Sequence, residues 1–141
     1  MLKGLDPLLV PAALLALAEM GHGDVVAIVD RNFPAHSGGR RVVELPTSRV
    51  EEALRAVLSV LPVDRFTEPA IVHMLTDEGD ESPATPGARA IWDDVEGRQV
   101  SAQGVDRCTR FYELARDAYV TIRTGEELPY ACYLVRKGTV Q

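Results

Sequence analysis

The alternation of apolar and polar residues changes period several times along this chain, and each change predicts an element. Asp6-Pro7 and Pro11 mark the entry to a first helix, because proline suits a first turn and disrupts later ones. Leu14, Leu17 and Ala18 then recur at helical spacing, and Gly21 suits the cap that follows. Val25 to Val29 is a short β-branched run that predicts a buried strand. A polar loop over residues 31–40 ends in Ser37-Gly38-Gly39, and Val42 to Leu45 predicts a second short strand. Ser48 and Glu51 have capping-box spacing. They open a helix with the stripe Val50, Leu54, Val57, Leu58 and Leu61, and Pro62 stops it. Ala70 to Leu75 reads as a strand, residues 77–87 as an acidic loop with prolines, and residues 88–98 as a helix carrying Trp92. Val105 to Ala118 predicts a helix with Cys108, Tyr112 and Ala115 on one face. Tyr119 to Arg123 and Ala131 to Val135 are closing strands either side of a Thr124-Gly125 turn. Strands alternating with helices predict an α/β sheet covered by helices on both faces. No repeat, linker or low-complexity segment divides residues 1–141, which read as one domain.

Composition narrows the function classes. The 141 residues are 46% hydrophobic, enough for a core, and the net charge is −6 from 15 basic and 21 acidic residues. An acidic surface without a basic stripe repels phosphates and argues against nucleic acid. Leu8 to Ala18 lies behind Lys3, and Ala16-Leu17-Ala18 is similar to a signal-peptidase site. Asp6, Pro7 and Pro11 argue against that reading, and the run falls short of the roughly 20 residues of a membrane span. Cys108 and Cys132 form no CxxC pair and are too few for a disulfide scaffold. The expected compartment is the cytoplasm.

The segment Met20-Gly21-His22-Gly23-Asp24 carries the densest candidate chemistry. It sets an imidazole, which titrates close to neutrality, between two glycines at the end of a helix. Asp30 closes the following strand, where the pocket loops of α/β sheets gather. That is the profile of acid–base chemistry on a small polar molecule. Each candidate also has a structural use: His22 as a helix-capping residue, Asp30 in an Asx turn, Tyr112 in a helix core and Tyr130 as a strand tyrosine in a subunit interface. His36 lies on the loop, where solvation and a reach into the pocket are equally open. His73 lies within an apolar strand and reads as core. No set of histidines and carboxylates has recognised metal spacing, and no glycine pattern matches a nucleotide loop, so neither metal nor cofactor is expected.

Several short segments, in one order from residue 1 to about residue 139, resemble the D-ribose pyranase and L-fucose mutarotase family (RbsD/FucU). They are Leu14 to Asp24, Asp30, Asn32 to Ser37, Leu61 to Asp64, Phe111 to Glu113, Thr124 to Glu126, and Tyr130 with Arg136-Lys137-Gly138. The fucose branch is the more similar, through Phe33 to Ser37 and the C-terminal third. The resemblance implies a three-layer α/β/α fold in a ring-shaped homo-oligomer, a decamer being one such assembly, with pockets near subunit boundaries. It implies a cofactor-free sugar mutarotase acting on L-fucose or a related aldose, with pyranose–furanose exchange as a companion activity. His22 would be the proton donor and Asp30 a ligand of sugar hydroxyls, with Asp64, Tyr112 and the segment Tyr130 to Cys132 completing the pocket. Tyr112 is the second catalytic candidate, able to anchor a hydroxyl or share in proton transfer because its phenol both donates and accepts.

The chain departs from that pattern in two places. The fucose branch has Tyr-Gly-Asn where this chain has Tyr130-Ala131-Cys132, and a thiol cannot reproduce the two-sided bonding of an amide. The branch also has an arginine four residues before the tyrosine matched by Tyr112, where this chain has Cys108. Arg107 substitutes only if the helix start is locally shifted, since one residue turns an α-helical side chain by about 100°. The expectation is retained ring opening with altered sugar preference. The alternative is a non-catalytic sugar-binding or regulatory ring protein of the same fold.

Overall fold

The computed structural model describes residues 2–37 and 40–141. Gly38 and Gly39, at the end of the polar loop, lie outside the described residues. In chain order the elements are α1 (Pro11–Glu19), β1 (Val25–Val29), β2 (Val42–Leu45), α2 (Val50–Leu58), β3 (Ile71–Met74), α3 (Thr85–Glu96), β4 (Ala102–Val105), α4 (Tyr112–Ala115), β5 (Val120–Thr124) and β6 (Tyr133–Arg136). The strands form one six-stranded sheet in the order β2-β5-β1-β6-β3-β4. β6 runs antiparallel between β1 and β3, and every other pairing is parallel. The carboxyl ends of β1 to β5 therefore share one edge with the start of β6. The opposite edge carries the entry to β1 and the end of β6.

Alternation along the strands sorts the core into two layers. On one face Val26, Ile28, Ile71, Ile122, Tyr133 and Val135 pack with α1, α2 and α3 around buried Trp92. On the other, Ala27, Val29, Met74, Cys132 and Leu134 meet Phe33, Phe111 and Ala115. Helices thus cover both faces of the α/β sheet, thickly on one side and by short α4 on the other.

The helix expected over Val105 to Ala118 is corrected by the structure. Its first residue, Val105, instead ends β4, which runs parallel to β3 at the sheet margin. Ala-Gln-Gly-Val has no period of two, so its strand state comes from pairing alone. Gly104 is needed there: a Cβ would stand 2.5 Å from Leu75 Cδ2 and 2.8 Å from His73 Cε1. A π-helical turn, Arg107–Phe111, then leads into α4. The Phe111 N–H bonds the Asp106 carbonyl at 2.8 Å, and the Asp106 carboxylate caps the turn on Thr109.

Three boundaries also move. α3 begins at Thr85 rather than residue 88, with Pro86 in its first turn where proline fits. Gly23, not Gly21, takes the left-handed conformation after α1, with φ +93°. The capping box of α2 lies one residue later than Ser48 and Glu51 imply. Ser48 turns back to the Leu45 carbonyl, while the Arg49 N–H donates to Glu52 and the Val50 N–H to buried Glu126.

Candidate functional site

The expected site residues fall into two groups at opposite ends of β1. At the entry to β1, His22 stands on the turn after α1 with its side chain 46% exposed. Its Nε2 lies 3.1 Å from Oδ1 of Asp64, whose side chain is fully buried. That carboxylate also accepts the N–H groups of Phe66 and Thr67 at 3.1 and 3.2 Å. Burial pushes the Asp64 carboxyl up, but the Phe66 N–H, His22 and Thr67 outweigh it and hold it below its ordinary value. Asp64 was expected in the sugar pocket; it lies instead beneath His22, apart from Asp30. With Nε2 held by Asp64, Nδ1 is the ring nitrogen left for a ligand. Phe66, 71% exposed, stands edge-on to the imidazole with centroids 5.7 Å apart.

Three consecutive residues at the end of β6 build this turn. Arg136 donates to the Gly23 carbonyl at 3.1 Å. Lys137 donates to the carbonyls of Leu17 and Met20 at the end of α1, where a cation is favoured. At Gly138 a Cβ would meet the Asp64 Cα and the Val63 carbonyl at 2.9 Å, so only glycine lets the Asp64 segment approach. Arg98 clamps the same segment through the Val63 and Asp64 carbonyls. The sequence offered no local signal for Phe66 or Arg98; their roles arise from pairings distant along the chain.

At the other edge, Asp30 is 7% exposed. Its Oδ1 accepts the Asn32 N–H at 2.9 Å, and its Oδ2 lies 3.6 Å from the buried Cys132 thiol. Burial raises the Asp30 carboxyl above its ordinary value despite these bonds. Burial also pushes the Cys132 thiol well up, with the Asp30 charge adding to it, so the thiol stays protonated and donates. Thr124, Gly125 and Glu126 brace this edge. Thr124 donates to the Val29 carbonyl, and the Glu126 carbonyl accepts the Arg31 N–H. Burial opposes the charge of Glu126, but bonds from Leu128, Val50 and Arg49 hold its carboxyl below the ordinary value.

Tyr112, Arg107 and Tyr130 belong to this same edge. The Phe33 ring, just past Asp30, stands edge-on to Tyr112 at 5.6 Å. Arg107 lies over the Tyr112 ring, its guanidinium carbon 5.9 Å from the centroid. The π-helical turn is the local shift that Arg107 requires: i→i+5 bonding inserts one residue into the turn and carries Arg107 toward Tyr112. Cys108 points to solvent. Tyr130 is a non-glycine residue at φ +59°, a conformation costing roughly 1–2 kcal/mol in an L-residue.

His22 and Asp30 cannot meet within one chain. β1 separates them, and four steps from Val25 to Val29 at about 3.3 Å each place roughly 13 Å of strand between the two turns. A cavity of about 290 Å³ beside the entry to β1 is lined by Val25, Val72, Leu114, Leu134 and Arg136 among others, and by neither His22 nor Asp30. His36 bonds Glu44 on the sheet margin at 2.9 Å. His73 is buried in β3, where burial lowers its pKa. Among the described residues no group of three or more His, Cys, Asp or Glu side chains could hold a metal ion. No helix there is long and apolar enough to cross a membrane.

Solved structures share this architecture over nearly their whole length. FucU from Bifidobacterium longum is 33% identical, with a TM-score of 0.91 over 99% of this chain and 100% of its own. The fucose mutarotase of Streptococcus pneumoniae, solved with L-fucose, is 29% identical with the same TM-score and the same coverage of both chains. Protein Atu2016, for which sugar binding has been proposed, is 36% identical with a TM-score of 0.93 over 100% of this chain and 97% of its own. The model of the RbsD / FucU transport protein family matches residues 3–140. With that match spanning almost every residue, the chain belongs to the RbsD / FucU transport protein family.

Proposed function

We propose that this protein is a cofactor-free cytoplasmic sugar mutarotase that interconverts the anomers of L-fucose or a related aldose, with pyranose–furanose exchange as a companion activity. The observation that carries the proposal is a half-exposed imidazole fixed through one nitrogen by a buried carboxylate. Similarity to a fucose mutarotase holding L-fucose supports the substrate class.

The chemistry needs little more. Nδ1 of His22 delivers a proton to the ring oxygen as the anomeric hydroxyl loses its proton to water. The bond from the anomeric carbon to the ring oxygen breaks, and an open-chain aldehyde forms. The carbonyl turns, the hydroxyl re-adds to its other face, and the imidazole recovers its proton. General acid–base assistance of this type contributes roughly 10²–10⁴-fold. Asp30 accepts sugar hydroxyls, and Arg107, Tyr112 and Tyr130 orient the ring. Cys132 leaves the pocket with one fewer amide-like contact than asparagine would give, which supports a shifted sugar preference.

Because β1 holds His22 and Asp30 apart, the working site joins the Asp30 edge of one protomer to His22 of a second copy, in a ring-shaped homo-oligomer. Phe66, beside His22 and 71% exposed, and Val140, which lines the same hollow as Phe66 and is 84% exposed, support such a contact. Anomer exchange measured by NMR on an aldose panel tests the activity. His22→Ala and Asp30→Asn should each be inactive alone. Dissociated and reassembled together at equal amounts, they should regain activity at about a quarter of the sites, as a head-to-tail interface predicts. No recovery would remove the shared site. A chelator should leave the rate unchanged.

A second reading is sugar binding without catalysis, favoured by the buried thiol that replaces an amide beside Asp30. Tight binding without faster exchange would select it.

A further inference from the structure

We propose that Asp77, on the loop after β3, is the positioning residue that aims Arg107 at the sugar. This rests on the assignment of the Asp30 edge as the sugar-binding half-site. Arg107 donates Nε to Asp77 Oδ1 at 3.0 Å and Nη2 to Oδ2 at 3.2 Å, a two-pronged pair that fixes the guanidinium plane. Arg107 is the main cause that holds the Asp77 carboxyl below its ordinary value. The same guanidinium lies over the Tyr112 ring, its carbon 5.9 Å from the centroid. One exposed carboxylate therefore fixes the guanidinium that faces Tyr112.

The loop bearing Asp77 is built to hold still. The Thr76 N–H bonds the Asp80 carbonyl at 2.8 Å, the Gly79 N–H bonds the Thr76 carbonyl at 2.9 Å, and Leu75 bridges Glu81. Ser82 is buried, and its hydroxyl donates to the Pro129 carbonyl at 2.6 Å. That bond holds the backbone next to Tyr130. Left-handed backbone at a non-glycine residue persists only when its surroundings over-determine it, and the Ser82 bond is one such restraint. With Nε and one hydrogen of Nη2 occupied by Asp77, Arg107 turns its Nη1 edge outward as the donor for sugar hydroxyls.

The test uses the full-length protein and L-fucose, with anomer exchange followed by NMR over a range of sugar concentrations. Asp77→Ala should raise KM about tenfold, the equivalent of one lost polar contact, with kcat changed less than about threefold. Asp77→Glu should restore most of the affinity. Arg107→Ala should raise KM similarly, and the Asp77→Ala/Arg107→Ala double variant should be no worse than Arg107→Ala, because both remove one unit. An unchanged KM, or effects that multiply in the double variant, would overturn the proposal. A purely structural role would lower the melting temperature and the active fraction while KM stayed put, which also overturns it. The sugar-free protein supplies a separate reading: the Arg107 Nε–H signal in 15N-edited spectra should be present in the wild type and lost in Asp77→Ala. Its persistence counts against Asp77. Absence of exchange with every aldose, alongside loss of that signal, would remove the mutarotase assignment while leaving the Asp77–Arg107 pair in place.

Discussion

The two ends of β1 hold their polar groups in opposite ways. At the entry end a single imidazole is half in solvent, and everything beneath it is occupied: Asp64 is bonded to two N–H groups and His22, and Lys137 and Arg136 are bonded to carbonyls. At the exit end Asp30 and Cys132 lie with Tyr112, Tyr130, Arg107 and Asp77, while His36, on the loop after Asp30, is bonded to Glu44 and His73 is buried in β3. The entry end thus offers a half-exposed imidazole, and the exit end a carboxylate, two phenols and a guanidinium. Under the proposed shared site, damage at the two ends should have different signatures.

The strongest break comes at His22. His22→Ala should reduce anomer exchange roughly 10²–10⁴-fold with the melting temperature unchanged, because the ring is half exposed. A matching loss of stability in a thermal scan would make His22 a scaffold residue instead. Asp64→Asn should cost on the order of 10²-fold in kcat through misplacement of the imidazole, with little change in KM.

The same carboxylate sharpens the comparison through pH. Its folded-state pKa lies below the ordinary value of 3.8. Its stabilising contribution is therefore complete above the unfolded-chain value and is lost as pH falls through the lower folded value. Urea midpoints of the wild type should drop below about pH 4, and Asp64→Asn should lack that share of the drop. A wild-type curve that is flat to pH 2 would refute the bonding ascribed to Asp64.

A smaller effect is expected at the exit end, where Glu126 is only 2% exposed and caps α2. Glu126→Gln keeps the shape but removes the charge, and should destabilise the fold by about 1–3 kcal/mol in urea titration. Exchange per folded molecule should stay near wild type, since Glu126 faces no sugar.

Much of the fold was legible along the chain. Val25 to Val29 and Val42 to Leu45 are strands with the expected bounds, because each opens on a pair of β-branched valines. The stripe Val50, Leu54, Val57 and Leu58 is buried as its period requires. The strand over residues 102–105 went unassigned and the start of the expected helix was misread, for a physical reason. Ala-Gln-Gly-Val carries no alternation of its own, and the following π-helical turn exists because Asp106 and Arg107 have partners in Thr109 and Asp77. The motifs Thr124-Gly125-Glu126 and Arg136-Lys137-Gly138 were visible as strings, but their roles were not. Glu126 caps a helix some 75 residues earlier in the sequence, and Gly138 is small because the Asp64 backbone lies against it.

By itself the sequence determined which chemistry was on offer: a glycine-flanked imidazole, an aspartate closing a buried strand, and an aromatic, arginine-bearing segment ahead of the last strands. Period and residue type are local properties, so they specify elements and inventory. Only the tertiary structure decided that the imidazole and the Asp30 carboxylate face opposite edges of one sheet, that Asp64 holds the imidazole, and that Asp77 pairs with Arg107. Those outcomes depend on strand order and on contacts between distant residues, and a rigid extended strand fixes the separation of its two ends whatever the chemistry at each.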